Sequence, residues 1–259
     1  MNLFALPYDQ FQQFVTVFFR TLGILGAAPF FGSRNVPVRA KAGLGVLVAV
    51  IIYPLVDFSG VVFPEKPGLL GFLIAGEVLI GMVIGYATRL FFTAIQVAGH
   101  LIGFQVGFAI VNVIDPQTSS QVSVISQFEN IITTLFFLST GAYFLFIQGM
   151  AESFAVIPPF GISFSREIVE LVVSLFSDIF IIAIKISAPV LAASLFTTVA
   201  LGLVARTVPQ INIFIVGMPI QIALGLFMIG ATLSFMSMVA ENIFDQMEFT
   251  FYAMLRALG

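Results

Sequence analysis

Apolar residues run in long blocks along this chain, and most charges fall between the blocks. Charge-poor runs cover about residues 10–31, 40–56, 68–88, 90–112, 124–150, 171–204 and 211–240. Each comes near the roughly 20 residues that an α-helix needs to cross a bilayer. The pattern predicts an all-α, polytopic and highly apolar membrane protein with long helices, six to eight in number. The 40–56 run is short for a span. The 171–204 run is long and interrupted by Asp178, Lys185 and Pro189. Pro189 is predicted to kink it, because proline removes an internal hydrogen bond.

One charge, Arg206, divides two uncharged stretches of 20 residues (Ile186 to Ala205) and 34 residues (Thr207 to Ala240). It opens a turn that also holds Pro209, Gln210 and Asn212. A guanidinium and two amides beside apolar helices are costly unless they meet partners, so this turn is predicted to dock on something. Beyond Ala240, the residues Ile243, Phe244, Met247, Phe251, Met254 and Leu255 recur at helical spacing, with Glu241, Asp245 and Glu248 on another face. That predicts an amphipathic helix lying on a surface or a partner. The loop with Arg34, Arg39 and Lys41 is basic and is placed on the cytoplasmic side. The next loop, with Asp57, Glu65 and Lys66, is acidic and is placed outside. The charge alternation then fades, as it would if some apolar segments did not span lipid.

Composition sharpens this picture. The 259 residues are 59% hydrophobic and 9% charged, with a mean hydropathy of +1.11. Soluble domains carry about 25% charge, so the chain is an integral membrane protein. The opening residues lack a basic region followed by a small-residue cleavage site, which predicts no cleaved signal peptide. There is no cysteine, which excludes disulfides, thiol nucleophiles and thiolate metal sites. A single histidine, His100, cannot build a multi-histidine metal centre, and it is read as a packing residue. No cofactor is expected. A net charge of −3 argues against nucleic acid as a partner. Trp is absent while Phe reaches 31, which suggests helices that face protein more than lipid. No phosphate-cradling loop, zinc-protease helix or nucleophile elbow is present, so an enzyme is not expected.

Three features are candidates for function. From Val106 to Ser123 an apolar stretch meets the turn Asp115-Pro116 and then hydroxyl and amide residues, so the segment is either a pore-lining loop or a solvated connector. Gly99, Gly103 and Gly107 form a ladder at four-residue spacing, and Gly81 with Gly85 forms another. Such ladders allow close helix approach, within the chain or between subunits. Glu77, Glu129 and Lys185 are ionisable groups at or inside apolar runs; each is a structural ion pair, a buried hydrogen-bonded group, or a proton or cation site.

Several ordered strings resemble one family. Arg206-x-x-Pro209-Gln210-x-Asn212-x-Phe214, followed by Gly217 and Pro219, is similar to the signature of the FliR family of flagellar biosynthesis proteins. That family extends to the equivalent component of virulence type III secretion. Arg20, Pro29, Phe30, Gly32, Pro37 and Lys41 match its N-terminal pattern. Glu77, Gly81, Gly85, Gly99, Gln105, Gly107, Phe108 and Asp115-Pro116 match its middle, and Ala188-Pro189 with Gly202 precede the signature. The extended Arg206–Phe214 string favours the flagellar branch.

The resemblance implies a single helical export-gate domain over 1–259: a P-like part over about 1–165, and a Q-like hairpin with the amphipathic helix over about 166–259. It implies assembly with FliP and FliQ and contact with FlhB in the bacterial inner membrane at the flagellar basal body, around a channel for unfolded export substrates. It further implies that the 106–122 loop is a plug, with Phe108, Ala109, Ile110, Val111, Asn112, Val113, Ile114, Asp115, Pro116 and Gln117 closing the channel. The assembly residues would be Arg206, Pro209, Gln210, Asn212, Gly99, Gly103 and Gly107. The rival reading is an ion-coupled secondary transporter with a midplane site around Glu77 and Lys185. It would call for an internal repeat, which the sequence lacks.

Overall fold

A computed structural model describes residues 8–29, 31–32, 36–108, 123–161, 166–210 and 212–259. Every regular element among them is helical: α1 (Tyr8–Ala27), α2 (Val38–Ile52) with a 3-10 turn (Tyr53–Leu55), α3 (Pro67–Val106), α4 (Val124–Ser139), α5 (Ala142–Val156), α6 (Arg166–Thr207) and α7 (Ile213–Leu258). The predicted all-α class is observed.

Helix boundaries differ from the charge pattern in three places. The runs 68–88 and 90–112 are one 40-residue helix, α3. Arg89 separates the runs in sequence, but arginine is a good helix former and does not interrupt a backbone. The 124–150 run divides instead, because Gly141 adopts a left-handed conformation with φ of 77° between α4 and α5. The 211–240 run and the amphipathic segment are one 46-residue helix, α7. The apolar stripe of that segment is buried within the chain rather than left for a surface or a partner: Ile243, Phe244, Met247, Phe251, Met254 and Leu255 are all at most 6% exposed. Its own chain offers complementary apolar surface, so that stripe is already satisfied.

The chain forms two compact units. The first comprises residues 1–90, 141–175 and 245–259. Here α1 packs on α2 and α3, with Gly23 against Gly81 and Gly85 against Ile24 and Ala27, so that backbones touch where no Cβ fits. The end of α7 lies on α5, where the Phe251 ring occupies the space left by Gly149. An aromatic series runs through Tyr53, Phe58, Phe63 and Phe160, with centroids 5.5–6.1 Å apart.

The second unit comprises residues 91–140 and 176–244. Ile102, Val106, Ile125, Val190 and Ile229 form its core. Phe92, Phe137 and Phe244, one each from α3, α4 and α7, form a triangle of rings with centroids 5.6–6.5 Å apart.

Among the described residues, four helical segments are long and apolar enough to cross a membrane, Val38–Leu55, Pro67–Val106, Arg166–Thr207 and Ile215–Leu233, or five if α4 and α5 form one broken span. The chain covers little of their surface. Only 17% of the Ile215–Leu233 segment is buried, and Phe196 and Phe227 stand 74% and 70% exposed. Water does not tolerate so much contiguous apolar surface, so lipid or other subunits must cover it.

Candidate assembly and gating sites

The stop of α3 is written in local chemistry. Gly107 takes φ of 97°, which only glycine adopts freely, and its N–H donates to the Phe104 carbonyl at 3.2 Å. The Phe108 N–H donates to the Gly103 carbonyl at 3.0 Å. This pair of bonds is a Schellman C-cap, and the apolar residue after the glycine completes it by packing back on the helix. Phe108 does so against the core of Ile102, Val106, Ile125, Val190 and Ile229. The chain thus leaves α3 at a fixed point. Ala109, Ile110, Val111, Asn112, Val113, Ile114, Asp115, Pro116 and Gln117, the rest of the expected plug, lie outside the described residues.

The glycine ladder divides by role. A Cβ on Gly99 would strike the Ser126 backbone and the Glu129 carboxylate, and one on Gly103 would strike the Ser123 hydroxyl, so these two seat α3 on α4. Among the described residues a Cβ on Gly107 would meet nothing within 4 Å; its role is the left-handed cap. Polar bonds tie the same pair of helices: the Ser126 hydroxyl donates to the Gln96 carbonyl at 3.0 Å, and the Gln96 amide donates to Asn130 at 3.2 Å. Glu129 lies within this contact, 3% exposed, and its Oε2 has no partner among the described residues.

Glu77 is placed quite differently. It is fully buried, and its Oε2 accepts from Arg20 Nε at 2.5 Å while its Oε1 accepts from the Phe160 N–H at 2.7 Å. Arg20, equally buried, spends its other donors on the end of α5: Ser153 O at 3.0 Å, Ile157 O at 2.8 Å and Pro158 O at 3.4 Å. The Ile157 carbonyl, at the C-cap of α5, is one of the helix-terminal acceptors that a helix cannot satisfy from within. The Phe154 ring closes the guanidinium face at 4.2 Å. Pro158 to Gly161 form a turn closed by the Gly161 N–H on the Pro158 carbonyl at 2.9 Å. Pro159 at its second position and the positive φ of 66° at Phe160 fit a type II turn, in which glycine is usual at that third place. The Glu77 carboxylate holds a bulky residue there instead. One ion pair therefore fixes α1, α3 and the end of α5 together.

Sequence reading flagged Glu77 and, through the resemblance, Arg20, but did not pair them across 57 positions. The usable signal was charge parity: one cation and one anion each inside a charge-poor run. Lys185, the other half of the transporter reading, is exposed on α6, and Glu77 pairs with Arg20 instead. Both Glu77 oxygens already accept hydrogen bonds from within the chain. His100 is exposed.

The hairpin turn is short. The Val208 N–H closes the end of α6 on the Val204 carbonyl at 2.8 Å, and the Asn212 carbonyl accepts from Ile215 at 3.1 Å and Val216 at 3.3 Å to open α7. Gln221 bridges the two helices through the Thr198 hydroxyl at 2.9 Å. Arg206, Pro209, Gln210 and Asn212 are all exposed.

Residues 11–247 match the model of the family described as bacterial export proteins, family 1. The chain belongs to that family. It is 37% identical to the flagellar biosynthetic protein FliR of Bacillus subtilis over 258 residues, covering 97% of both chains. It is 32% identical to FliR of Pectobacterium carotovorum, covering 91% of this chain and 89% of that one, and 25% identical to FliR of Escherichia coli, covering 92% of each. Membership makes the chain a membrane component of a bacterial export apparatus, as the resemblance implied.

Proposed function

We propose that this chain is a structural and gating subunit of the flagellar type III protein export gate, assembling with FliP and FliQ, contacting FlhB, and helping to form the inner-membrane channel for unfolded export substrates at the flagellar basal body. The observation that carries this reading is full-length similarity to flagellar FliR proteins. The bare apolar faces of α6 and α7 support it, because they are surface that the chain alone does not cover.

In this reading no chemistry is catalysed. The P-like part spans about 1–165 and the Q-like hairpin about 166–259, with Arg206, Pro209, Gln210 and Asn212 meeting neighbouring subunits near the cytoplasmic entrance. Residues 108–117 are the plug. Its apolar side chains close the channel by packing and dewetting, without a specific ion site.

Affinity purification of the tagged chain from its native membrane, followed by intact-complex mass spectrometry, tests the assembly. Recovery with small apolar partners in several copies is expected; a monodisperse chain would overturn it. Deleting 110–120 is expected to leave assembly intact and raise ion conductance. An ion-tight membrane after that deletion would remove the plug assignment while leaving the assembly reading in place.

A further inference from the structure

Polar side chains in the second unit gather on one side of the seam between α3 and α4. The two helices run antiparallel, with Gly103 against Ser123, Gly99 against Ser126 and Gln96 against Asn130. On α3, Thr93, Gln96 and His100 follow one another at three- and four-residue steps and so share a face. On α4, Gln127, Asn130 and Thr134 do the same. The 3.2 Å bond from Gln96 to Asn130 joins the two faces into a polar strip two helices wide. Gln96, His100 and Gln127 are exposed, and the other three are half-buried. Further round each helix the exposed residues turn apolar: Leu101 and Phe104 on α3, Ile131 and Leu135 on α4.

We infer that this strip lines the export passage and hydrogen-bonds the backbone of the extended substrate chain in transit. The inference rests on the export-gate reading above. Three features favour this occupant. Lipid does not cover such a strip, because amides on a span-length helix face protein or water and not acyl chains. A close-packed helix of another subunit does not fit it either: the small residues that would admit one, Gly99 and Gly103, are already spent against α4, and the strip itself carries long side chains. Position supplies the third. With Gly103 against Ser123, the end of α3 lies beside the start of α4, so the segment proposed as the plug leaves and rejoins the fold at one end of the strip. Primary amides also suit a cargo of no fixed sequence. Each offers two donors and an acceptor oxygen, matching the N–H and C=O groups that an extended chain presents along its length. The single Gln96–Asn130 bond does not exhaust them.

The chain holds no cysteine, so single cysteines report without background from it. Gln96→Cys, His100→Cys and Gln127→Cys are introduced one at a time in the full chain, within its native complex. An export substrate with cysteines spaced along its secreted part is then arrested by a folded domain too wide to pass, and a thiol oxidant is added. Disulfide adducts with the arrested substrate are expected from all three positions, at least tenfold above Leu101→Cys and Ile131→Cys on the apolar flanks. If Gln96→Cys fails to accumulate for want of its bond to Asn130, the exposed positions 100 and 127 still decide. Gln127→Leu is expected to slow export several-fold at unchanged recovery of the complex. In a complex shown to hold the arrested substrate, adducts only to another subunit, no adducts, or equal yields from strip and flanks would overturn the inference and leave the export-gate reading standing. An unchanged export rate in Gln127→Leu would overturn the backbone contact. A chain that enters no complex and arrests no substrate would sink the export-gate reading, and this inference with it.

Discussion

Two buried glutamates, one in each compact unit, show two ways of holding an acid away from water. Glu77 in the first unit has both oxygens engaged, by Arg20 and by the Phe160 N–H. Glu129 in the second has no hydrogen-bond partner on its Oε2 among the described residues. The first is a finished internal joint, because every charge that α1 and α3 bring into it is answered within the chain. The second is an open valence.

The sharpest way to break this comparison is to remove one partner at each site. Arg20→Ala or Glu77→Ala leaves an uncompensated buried charge, and the expected loss is about 3–5 kcal/mol. Thermal unfolding of the detergent-solubilised chain, with its level in the membrane, would read it. The paired Arg20→Met, Glu77→Leu variant should recover much of that loss, since apolar replacement of a whole buried pair is often tolerated. If the pair is no better than the singles, the bonds from Arg20 to the Ser153 and Ile157 carbonyls carry the joint instead. Glu129→Leu should move the other way, leaving the chain unharmed or stabilised by about 1–3 kcal/mol. Equal losses at Glu77 and Glu129 would dissolve the distinction.

Glycines give the next contrast. A Cβ on Gly81 would meet the Arg20 carbonyl and the Ile24 amide, backbone atoms that cannot step aside. Gly81→Ala is therefore expected to force α1 from α3 and cost about 1–3 kcal/mol. Gly107→Ala strains the left-handed cap of α3 by about 1–2 kcal/mol without touching any neighbour among the described residues. Gly202→Ala, inside α6 with nothing within 4 Å, should gain up to about 1 kcal/mol from helix propensity. Unfolding midpoints of the three variants would establish whether close approach, cap geometry or intrinsic propensity governs each position.

These sites also mark how far the sequence could be read. The all-α, membrane-embedded class was legible because apolar runs of span length leave no other fold that satisfies the backbone in lipid. Helix boundaries were less legible: Arg89 punctuates the hydropathy of α3 but not its backbone, and Gly141 breaks a run that hydropathy leaves whole. Gly107 carried a readable stop, a glycine followed by an aromatic residue, yet it stood in register with Gly99 and Gly103 and so read as part of a packing ladder. The Arg20–Glu77 joint needed knowledge that α1 and α3 cross at Gly23 and Gly81, a long-range fact that no local periodicity contains. The open state of Glu129 was illegible for the opposite reason: nothing in a sequence distinguishes a buried carboxyl that has a donor from one that lacks it.

A third carboxylate calibrates the scale from the weak end. Glu152 on α5 accepts a hydrogen bond from Tyr252 near the end of α7, and this bond, ahead of burial and of the charges on Glu152 and Glu248, pushes the phenol up to about 12 from an ordinary value of 10. A phenol whose folded value lies above its unfolded one contributes stability that is fully present below pH 10 and is lost as pH rises towards 12. The attachment of the last turns of α7 to α5 should loosen over that window. Glu152→Gln should bring the Tyr252 titration back towards 10 and flatten the pH dependence, with only a slight change at neutral pH because the pair is partly exposed. Phenolate absorbance, taken as the difference between the two proteins, isolates Tyr252 from the other tyrosines. A difference spectrum with no high-pH component would mean that the end of α7 is held by Phe251, Met254 and Leu255 alone. The graded order of Glu77, Glu129 and Glu152 would then reduce to burial, with hydrogen-bond supply counting only where solvent is fully excluded.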